Sequence, residues 1–467
     1  MIDTFAIRCN VLKLAFSGQL SQHEVEDGAI DDLLKRVNPN REIKQLEAGP
    51  YEIPENWAWV KLEDLYEINP KVEAADDTDA AFIPMERISA GFSDSFTFEV
   101  QKWSAASKNH TRFADGDVAF AKISPCFENR KSFIATGLPN GIGGGTTELI
   151  ILRQKEMLPR FTYYVTLDQR FIHEGVASYK GTVGQQRVKS DVIKNYMVAV
   201  PPKEEQQRII EKIESIFSAL DTINTLQSQY QENLATLKSK IIDAGIQGKL
   251  TEQLPEDGTA EELYQQIQQE KLALEKAGKI KKAKPLPPIS DEEKPFDIPD
   301  NWKWVRLADV YEINPKVNAD DNINAAFIPM ERISAGFDRS FSYVVQKWSE
   351  ASKNHTRFCD GDVAFAKISP CFENRKSFVV ENLPNSLGGG TTELIILRQK
   401  LIDPLFTYYL ILDERFIRLG LSTYKGTVGQ QRIKNDVMFA YVFPLPPLAE
   451  QKRIVAKLEE LLPLCEG

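Results

Sequence analysis

Apolar residues fall into three spacings along this chain, and each predicts a different element. Beyond Lys203, Ile209, Ile213, Ile216, Leu220 and Ile223 step by fours and threes, and Tyr230, Leu234, Leu237 and Ile241 continue the pattern after a break at Gln227. That period predicts a helix packed along another helix, from Lys203 to about Gly245. It would be roughly 60 Å long at ~1.5 Å per residue. Short β-rich runs such as VAFAKI and TELIILR predict strands, a strand-like run ends at Pro201-Pro202, and FTYYVTLDQRFI reads as helical. Trp57 and Trp59, like Trp302 and Trp304, alternate as on a strand and are expected to anchor a core.

The same spacings occur twice. FIPMERISAGF at Phe82 returns at Phe327, DGDVAFAKISPCFENRKSF at Asp115 returns at Asp360, and GGGTTELIILRQ at Gly143 returns at Gly388. YKGTVGQQR at Tyr179 returns at Tyr424, all at one offset of 245 residues. One mixed α/β domain of roughly 150 residues is therefore duplicated. Identity through polar stretches exceeds what a shared core requires, because cores tolerate extensive swapping. Recent duplication and selection both account for it, and either way two copies should bind two copies of the same thing.

The helical parts repeat as well. PLPPLAEQKRIVAKLEELLPL matches PPKEEQQRIIEKIESIF, setting Ile454, Leu458 and Leu461 where Ile209, Ile213 and Ile216 stand. This second helix ends at Gly467, short of its twin. AFSGQL and DGAIDDL near the N-terminus resemble GIQGKL and DGTAEEL after the central helix, at an offset of 230. The second helix is thus expected to be split between the two ends of the chain and to lie antiparallel to the first, which would relate the repeats by an approximate two-fold axis. A plain helical hairpin with unrelated ends is the simpler alternative.

The expected fold is α+β: two mixed α/β globular domains separated by a long antiparallel two-helix spacer, circularly arranged. The boundaries are an N-terminal helical segment 1–50, a first domain 51–202, a central helix and linker 203–294, a second domain 295–447 and a terminal helix 448–467. The linker, KAGKIKKAKPLPPISDEEKPFDIPDNWKWV, mixes basic, Pro-rich and acidic stretches.

Length, 467 residues, leaves room for about three domains. Cys9, Cys126, Cys359, Cys371 and Cys465 form no CxxC pair or zinc spacing, which predicts reduced thiols in a cytoplasmic protein. No 18-residue apolar run predicts a membrane span, and Asp3, Arg8 and Lys13 interrupt the N-terminal stretch where a signal peptide would be apolar. A net charge of −10 argues weakly against nucleic acid, although the location of Lys and Arg matters more than their sum.

Catalytic signatures are missing. A base methyltransferase needs a Gly-rich cofactor loop and an Asn/Asp-Pro-Pro-aromatic corner, and Asn69-Pro70-Lys71 is not that corner. Gly143-Gly144-Gly145-Thr146-Thr147 lacks the lysine of a phosphate loop. Of His23, His110, His173 and His355 only His110 and His355 match across repeats, too few for a duplicated metal or acid–base centre. Asp115-Gly-Asp117 followed by Lys122 superficially suggests a nuclease but reads as a turn before a strand.

What remains are polar segments dense in groups that read bases and grip phosphates. In the first repeat they are Arg87, Lys108, Arg112, Lys122, Asn129, Arg130, Lys131, Lys180, Thr182, Gln185, Gln186 and Arg187. Their counterparts are Arg332, Lys353, Arg357, Lys367, Asn374, Arg375, Lys376, Lys425, Thr427, Gln430, Gln431 and Arg432. Arg and Lys suit guanine edges or phosphates, Asn and Gln suit adenine, and Thr serves either.

KISPCFENRKS, KGTVGQQR, IPDNWKWVRL after KPLPP, and above all PLPPLAEQKRIVAKLEEL resemble the specificity subunit of type I restriction-modification systems, over nearly the whole chain. The resemblance implies two target recognition domains on paired spacer helices, in a non-catalytic subunit that binds duplex DNA and docks two methyltransferase subunits. Through them come restriction subunits that cleave DNA. S-adenosylmethionine, ATP and Mg would belong to those partners, with no cofactor in this chain. In such proteins the two recognition domains usually differ. Here they nearly match, so the expected target is a bipartite inverted repeat with half-site centres on the order of 10 base pairs apart. Differences at Gly137/Asn382, Gly141-Ile142/Ser386-Leu387 and Ser190/Asn435 leave room for one degenerate position. The competing readings are a stand-alone DNA-binding repressor and a helical scaffold that binds only protein.

Overall fold

The computed structural model describes residues 1–24, 27–28, 30–37, 43, 48–182, 185–280, 286–427 and 430–465. Part of DGAIDDL (Ala29), the Val183-Gly184 and Val428-Gly429 pairs of the KGTVGQQR segments, linker residues 281–285 and the terminal Glu466-Gly467 lie outside the described residues. The chain divides into two compact units, Met1–Gln227 and Ser228–Gly467.

The first unit opens with α1 (Thr4–Phe16), whose N-terminus is capped by Asp3 accepting from the Ala6 amide at 3.0 Å. It buries Arg8, Val11, Leu12, Ala15 and Phe16, one face at three- and four-residue spacing. After α2 (Ile30–Val37) come β1 (Ala58–Lys61), α3 (Leu62–Leu65), β2 (Tyr66–Ile68), β3 (Asp79–Ile83), β4 (Glu99–Lys102) and α4 (Trp103–Ala106). β5 (Thr111–Ala114), β6 (Val118–Ala121), β7 (Ser132–Ile134), β8 (Ile142–Gly145) and β9 (Leu149–Gln154) follow. Then come α5 (Pro159–Leu167), α6 (Gln169–Ala177), α7 (Ser190–Asn195), β10 (Met197–Val200) and α8 (Lys203–Ile246).

β1 and β10 pair antiparallel, Ala58 opposite Val200, and so close the two ends of the module onto each other. Between them lie two four-stranded sheets, ordered β4-β3-β8-β5 and β2-β9-β6-β7. Val118, Phe120, Ile150 and Leu152 face one core, shared with α5 and α6, while Ala119, Leu149 and Ile151 face a second core with Phe113 and Phe133. β6 and β9 are covered on both faces, which is why VAFA and LIIL read as unbroken apolar runs instead of alternating ones.

The glycine run of β8 has a steric cause. A Cβ on Gly144 would stand 1.8 Å from the Ala106 carbonyl oxygen, so α4 can rest on this strand only where side chains are missing. Asp115 to Asp117 forms the turn between β5 and β6. Asp117 accepts from the Ala114 amide at 2.8 Å and takes both Nε (2.7 Å) and NH2 (2.7 Å) of Arg153, which fixes it as a structural carboxylate.

The N-terminal half of α8 packs antiparallel on α1 and the segment after it. Thr4 donates to Asn224 at 2.6 Å, Arg8 pairs with Asp221 at 2.6 Å, and Arg208 pairs with Asp27 at 2.6 Å. The side chain of Glu205, fully buried in the first turns of α8, accepts from Trp57 Nε1 at 2.9 Å, Ser21 Oγ at 2.9 Å and Asn56 at 3.3 Å, with His23 Nδ1 at 2.6 Å. The sheet module is thereby rooted on the helix.

The second unit repeats the design. Its ribbon pairs Lys303–Arg306 with Val442–Leu445, and its two four-stranded sheets keep the same order. The terminal helix Leu448–Leu461 lies antiparallel to the C-terminal half of α8: Glu450 meets Thr251 at 3.0 Å, and Ile454 and Leu458 close around Gly245. Glu450 is fully buried and accepts from Trp302 Nε1 at 2.7 Å and Gln253 at 2.8 Å. Arg453 holds Asp257 at 2.5 Å, as Arg208 holds Asp27. The stretch after α8 contains a further helix, α9 (Ala260–Lys276), where the sequence suggested only linker. Thr259 and Glu262 form its capping box.

The predicted long helix is observed as α8, 44 residues, but its apolar seam is not buried throughout. Tyr230 (52%) and Leu237 (46%) in the seam, and Leu226 (58%) beside it, are exposed. The α1 arm reaches Gln227 through Ile2, and Leu462 and Pro463 of the terminal arm line one hollow with Lys238. Among the described residues no helix is long and apolar enough to cross a membrane.

Candidate nucleic-acid interface

Register decides where the polar segments lie. Ile83 and Gly145 are partners at the C-terminal ends of the parallel strands β3 and β8, and Thr111, opening β5, also faces Gly145. In the other sheet Ala121, closing β6, faces Leu149, opening β9, and Phe120 faces Ser132, opening β7. The short turn 146–148 joins the two sheets, so all of these strand ends share one edge of the module. The loops 84–98, 107–110, 122–131 and 146–148 emerge there together. The Asp115–Asp117 turn lies at the opposite end.

Residues 180–187 are stitched to the same edge. Ser124 N donates to Gln186 O at 2.8 Å, Val188 N to Lys122 O at 3.0 Å, and Lys122 N to Glu148 O at 2.8 Å. Lys180 and Arg187 exchange backbone bonds at 3.1 and 2.9 Å, closing the loop on itself. Lys180, Thr182, Gln185 and Arg187 are exposed, Gln186 and Lys122 half-buried. In the second unit Lys425, Thr427, Gln430 and Arg432 are exposed, Gln431 and Lys367 half-buried, and Lys367 N donates to Glu393 O at 2.8 Å.

The other expected residues divide. Asn129 and Asn374 are exposed at the turn, their carbonyls receiving Gly91 N (2.8 Å) and Gly336 N (2.7 Å). Lys131 and Lys376 spend their ammonium groups on the carbonyls of Met85 (2.8 Å) and Met330 (2.9 Å). Lys108 and Lys353 are exposed. Arg112 and Arg357 reach the carbonyls of Val72 and Val317, both at 3.3 Å, over the rings of Trp103 and Trp348. Arg87 pairs with Glu99 at 2.6 Å, whereas Arg332, with Val344 in the place of Glu99, donates to the Tyr343 carbonyl at 3.3 Å.

Arg130 and Arg375, also expected on the reading surface, turn their side chains toward the body of the module. Arg130 is 4% exposed and adopts φ 54, the left-handed turn conformation that sends its side chain inward. Its Nε donates to the Leu167 carbonyl at 3.0 Å, at the C-terminal end of α5, where a cation is favoured. Its guanidinium lies 4.9 Å from the Phe5 ring centroid, and burial lowers its pKa. Arg375, at φ 52, reaches Leu412 and pairs with Glu414 at 2.5 Å. Both arginines hold the turn together from behind.

Sequence reasoning missed two carboxylates. Glu148 accepts from Arg187 Nε at 2.9 Å and NH2 at 2.7 Å, and Glu393 accepts from Arg432 at the same two distances. The arginine hydrogen bonds hold both carboxyls below the usual range. The only signal in the sequence is an acidic residue just before a strand, which is a common surface pattern.

Two equivalent loop-crowned modules, each rooted on a helix by a buried carboxylate, define a duplicated-module protein. The chain belongs to the family of the type I restriction modification DNA specificity domain, whose description matches residues 54–232 and 299–465. It is 30% identical to the type I restriction enzyme EcoAI specificity subunit of Escherichia coli, over 99% of this chain and 90% of that one. It is 29% identical to the EcoEI specificity subunit of the same organism, over 100% and 90%. A solved chain, from work on complex assembly and conformational transition of the type I R-M system, shares the fold at TM-score 0.60 and 18% identity, covering 89% of this chain and 92% of that one. The chain is accordingly a specificity subunit, the non-catalytic kind.

Proposed function

We propose that the chain reads a bipartite duplex DNA site whose half-sites carry the same bases in inverted order, and that it does so in the cytoplasm as part of a complex with two methyltransferase subunits. One observation carries this reading. Of the five segments at the loop edge, 107–110, 122–131, 146–148 and 180–187 are letter-identical between the units, and the fifth, 84–98, diverges only after Phe92. The differences at Gly137/Asn382 and Gly141-Ile142/Ser386-Leu387 fall between the end of β7 and the start of β8, away from that edge. Chemically equal segments bind equal ligands, and the four identical ones carry most of the expected reading residues.

Inversion follows from the sequence repeat of the helical segments at the two ends of the chain, and half-site centres are expected on the order of 10 base pairs apart. Leu226, Tyr230 and Leu237, exposed on α8, are apolar surface suited to the methyltransferase partners. Methyl transfer and any DNA cleavage take place on those partners, with restriction subunits joining through them.

Sequencing the methylated bases of a host that carries the intact system tests this. A single palindromic, interrupted motif is expected. An asymmetric motif refutes the inversion, and salt-sensitive binding by the solitary chain to an operator, with no methyltransferase co-purifying, favours a repressor instead.

A further inference from the structure

Arg187 is held in an unusual way for an exposed side chain. Its Nε and one NH2 proton are engaged side by side by the Glu148 carboxylate, and NH1 lies 3.3 Å from the Gln185 carbonyl of its own loop. Glu148 is fixed in turn: its amide donates to Thr146 Oγ1 at 3.3 Å and its carbonyl receives Lys122 N at 2.8 Å. The copy in the second unit, Arg432 on Glu393, reproduces every one of these contacts, with the arginine side chain 49% exposed against 47%.

A guanidinium has five N–H donors in a planar fork. With Nε and one NH2 proton on the carboxylate and one NH1 proton on the Gln185 carbonyl, one proton each on NH1 and NH2 remains, two donors in one plane. A guanine offers two acceptors, O6 and N7, along its major-groove edge. An adenine offers N7 beside an N6 donor, which repels the second N–H. Held from behind, the fork also loses little rotational freedom when it binds, whereas a free arginine would lose more.

We propose that Arg187 and Arg432 each read one guanine of their half-site end-on, and that Glu148 and Glu393 are positioning residues that decide this specificity. This rests on the DNA-reading function proposed above. An alternative role, a staple between the 180–187 loop and the 146–148 turn, predicts uniform loss of binding with no change in base preference.

The test is selection of randomised duplexes by the full chain in complex with its methyltransferase, comparing wild type with Glu148→Gln, Glu393→Gln and Arg187→Lys. Wild type is expected to demand guanine at one position in each half-site. Glu148→Gln and Arg187→Lys should each relax that position in one half-site only, by about 5- to 150-fold, the range for losing a bidentate base contact. Glu393→Gln should relax the other. Preferences at the remaining positions and the salt dependence should stay as they are.

Because the untouched unit keeps its own guanine requirement within the same molecule, a misfolded preparation is distinguished from a relaxed one. Retention of guanine at both positions in Glu148→Gln, or equal weakening at every position, overturns the assignment while leaving the DNA-reading function standing. Absence of any base preference in the wild-type complex overturns both.

Discussion

Removing the buried carboxylate that roots each module should loosen that module and leave its twin intact. Glu205 accepts from the indole N–H of Trp57, 5% exposed, at 2.9 Å, and from Ser21 and Asn56, which border solvent. In Glu205→Ala the hydroxyl and amide recover water, but the indole N–H is left unpaired, at about 1–3 kcal/mol. Loss of the charged acceptor itself is worth ~1.5–3 kcal/mol per hydrogen bond. These overlap, so about 2–4 kcal/mol is expected for Glu205→Ala and roughly half that for Glu205→Gln, which keeps one acceptor oxygen. Trp57→Phe removes the donor and keeps most of the ring packing, so the Glu205→Ala/Trp57→Phe cycle should show a coupling of about 1.5–3 kcal/mol. Native-state hydrogen exchange measured by mass spectrometry reads this locally, which matters in a chain with two units that need not open together. Protection should fall over 54–61 and the first turns of α8 and hold over 299–306. Glu450→Ala should give the mirror result around Trp302. Additivity of the two substitutions within about 0.5 kcal/mol would show that the indole and carboxylate do not cooperate and would refute the reasoning.

Three further outcomes follow from other contacts. Gly144→Ala drives a methyl group into the Ala106 carbonyl, which cannot rotate away, so a loss of about 3 kcal/mol or more is expected in urea unfolding; a change below ~1 kcal/mol would contradict the steric account. Glu293 is held down to about 2 by Arg306 and the Ser290 amide, so its contribution to stability is present above its unfolded value of 4.5 and is lost as pH falls from there through about 2. An NMR titration of its carboxyl should show that midpoint, and Arg306→Gln should return it toward 4.5. Glu99→Val, which copies Val344 of the second unit, releases Arg87 from its carboxylate; nonspecific duplex binding should tighten and the salt slope steepen by about 1, measured by fluorescence anisotropy across salt concentrations.

Heptad spacing made α8 legible because a long apolar seam has few other physical meanings. Strands β6 and β9 were legible because burial on both faces leaves a continuous run. The duplication located both modules by identity alone. What escaped was set by geometry that has no one-dimensional trace. Arg130 and Asn129 look alike as polar loop residues, and only the left-handed turn at Arg130 turns one inward while its neighbour stays out. Glu148 became visible only when register brought its turn beside residues 180–187. Glu205 sits among the charges that open a helix, the usual sign of a solvated first turn, yet it is sealed under Trp57. Helix α9 was hidden because its apolar positions are few and a capping box is a faint signal beside a basic, Pro-rich stretch. The seam between Gln227 and Lys238 carries the heptad rhythm but leaves Tyr230 and Leu237 in the open, since periodicity reports the shape of a surface and not what covers it.

The spatial separation of the loop edge from the Asp117–Arg153 clamp carries an evolutionary consequence. A substitution among the crowning loops leaves the clamp, the ribbon and the rooted tryptophan untouched. Under the reading proposed above, such a change in a single copy would turn a symmetric address into a hybrid one, and copying either half over the other would restore it.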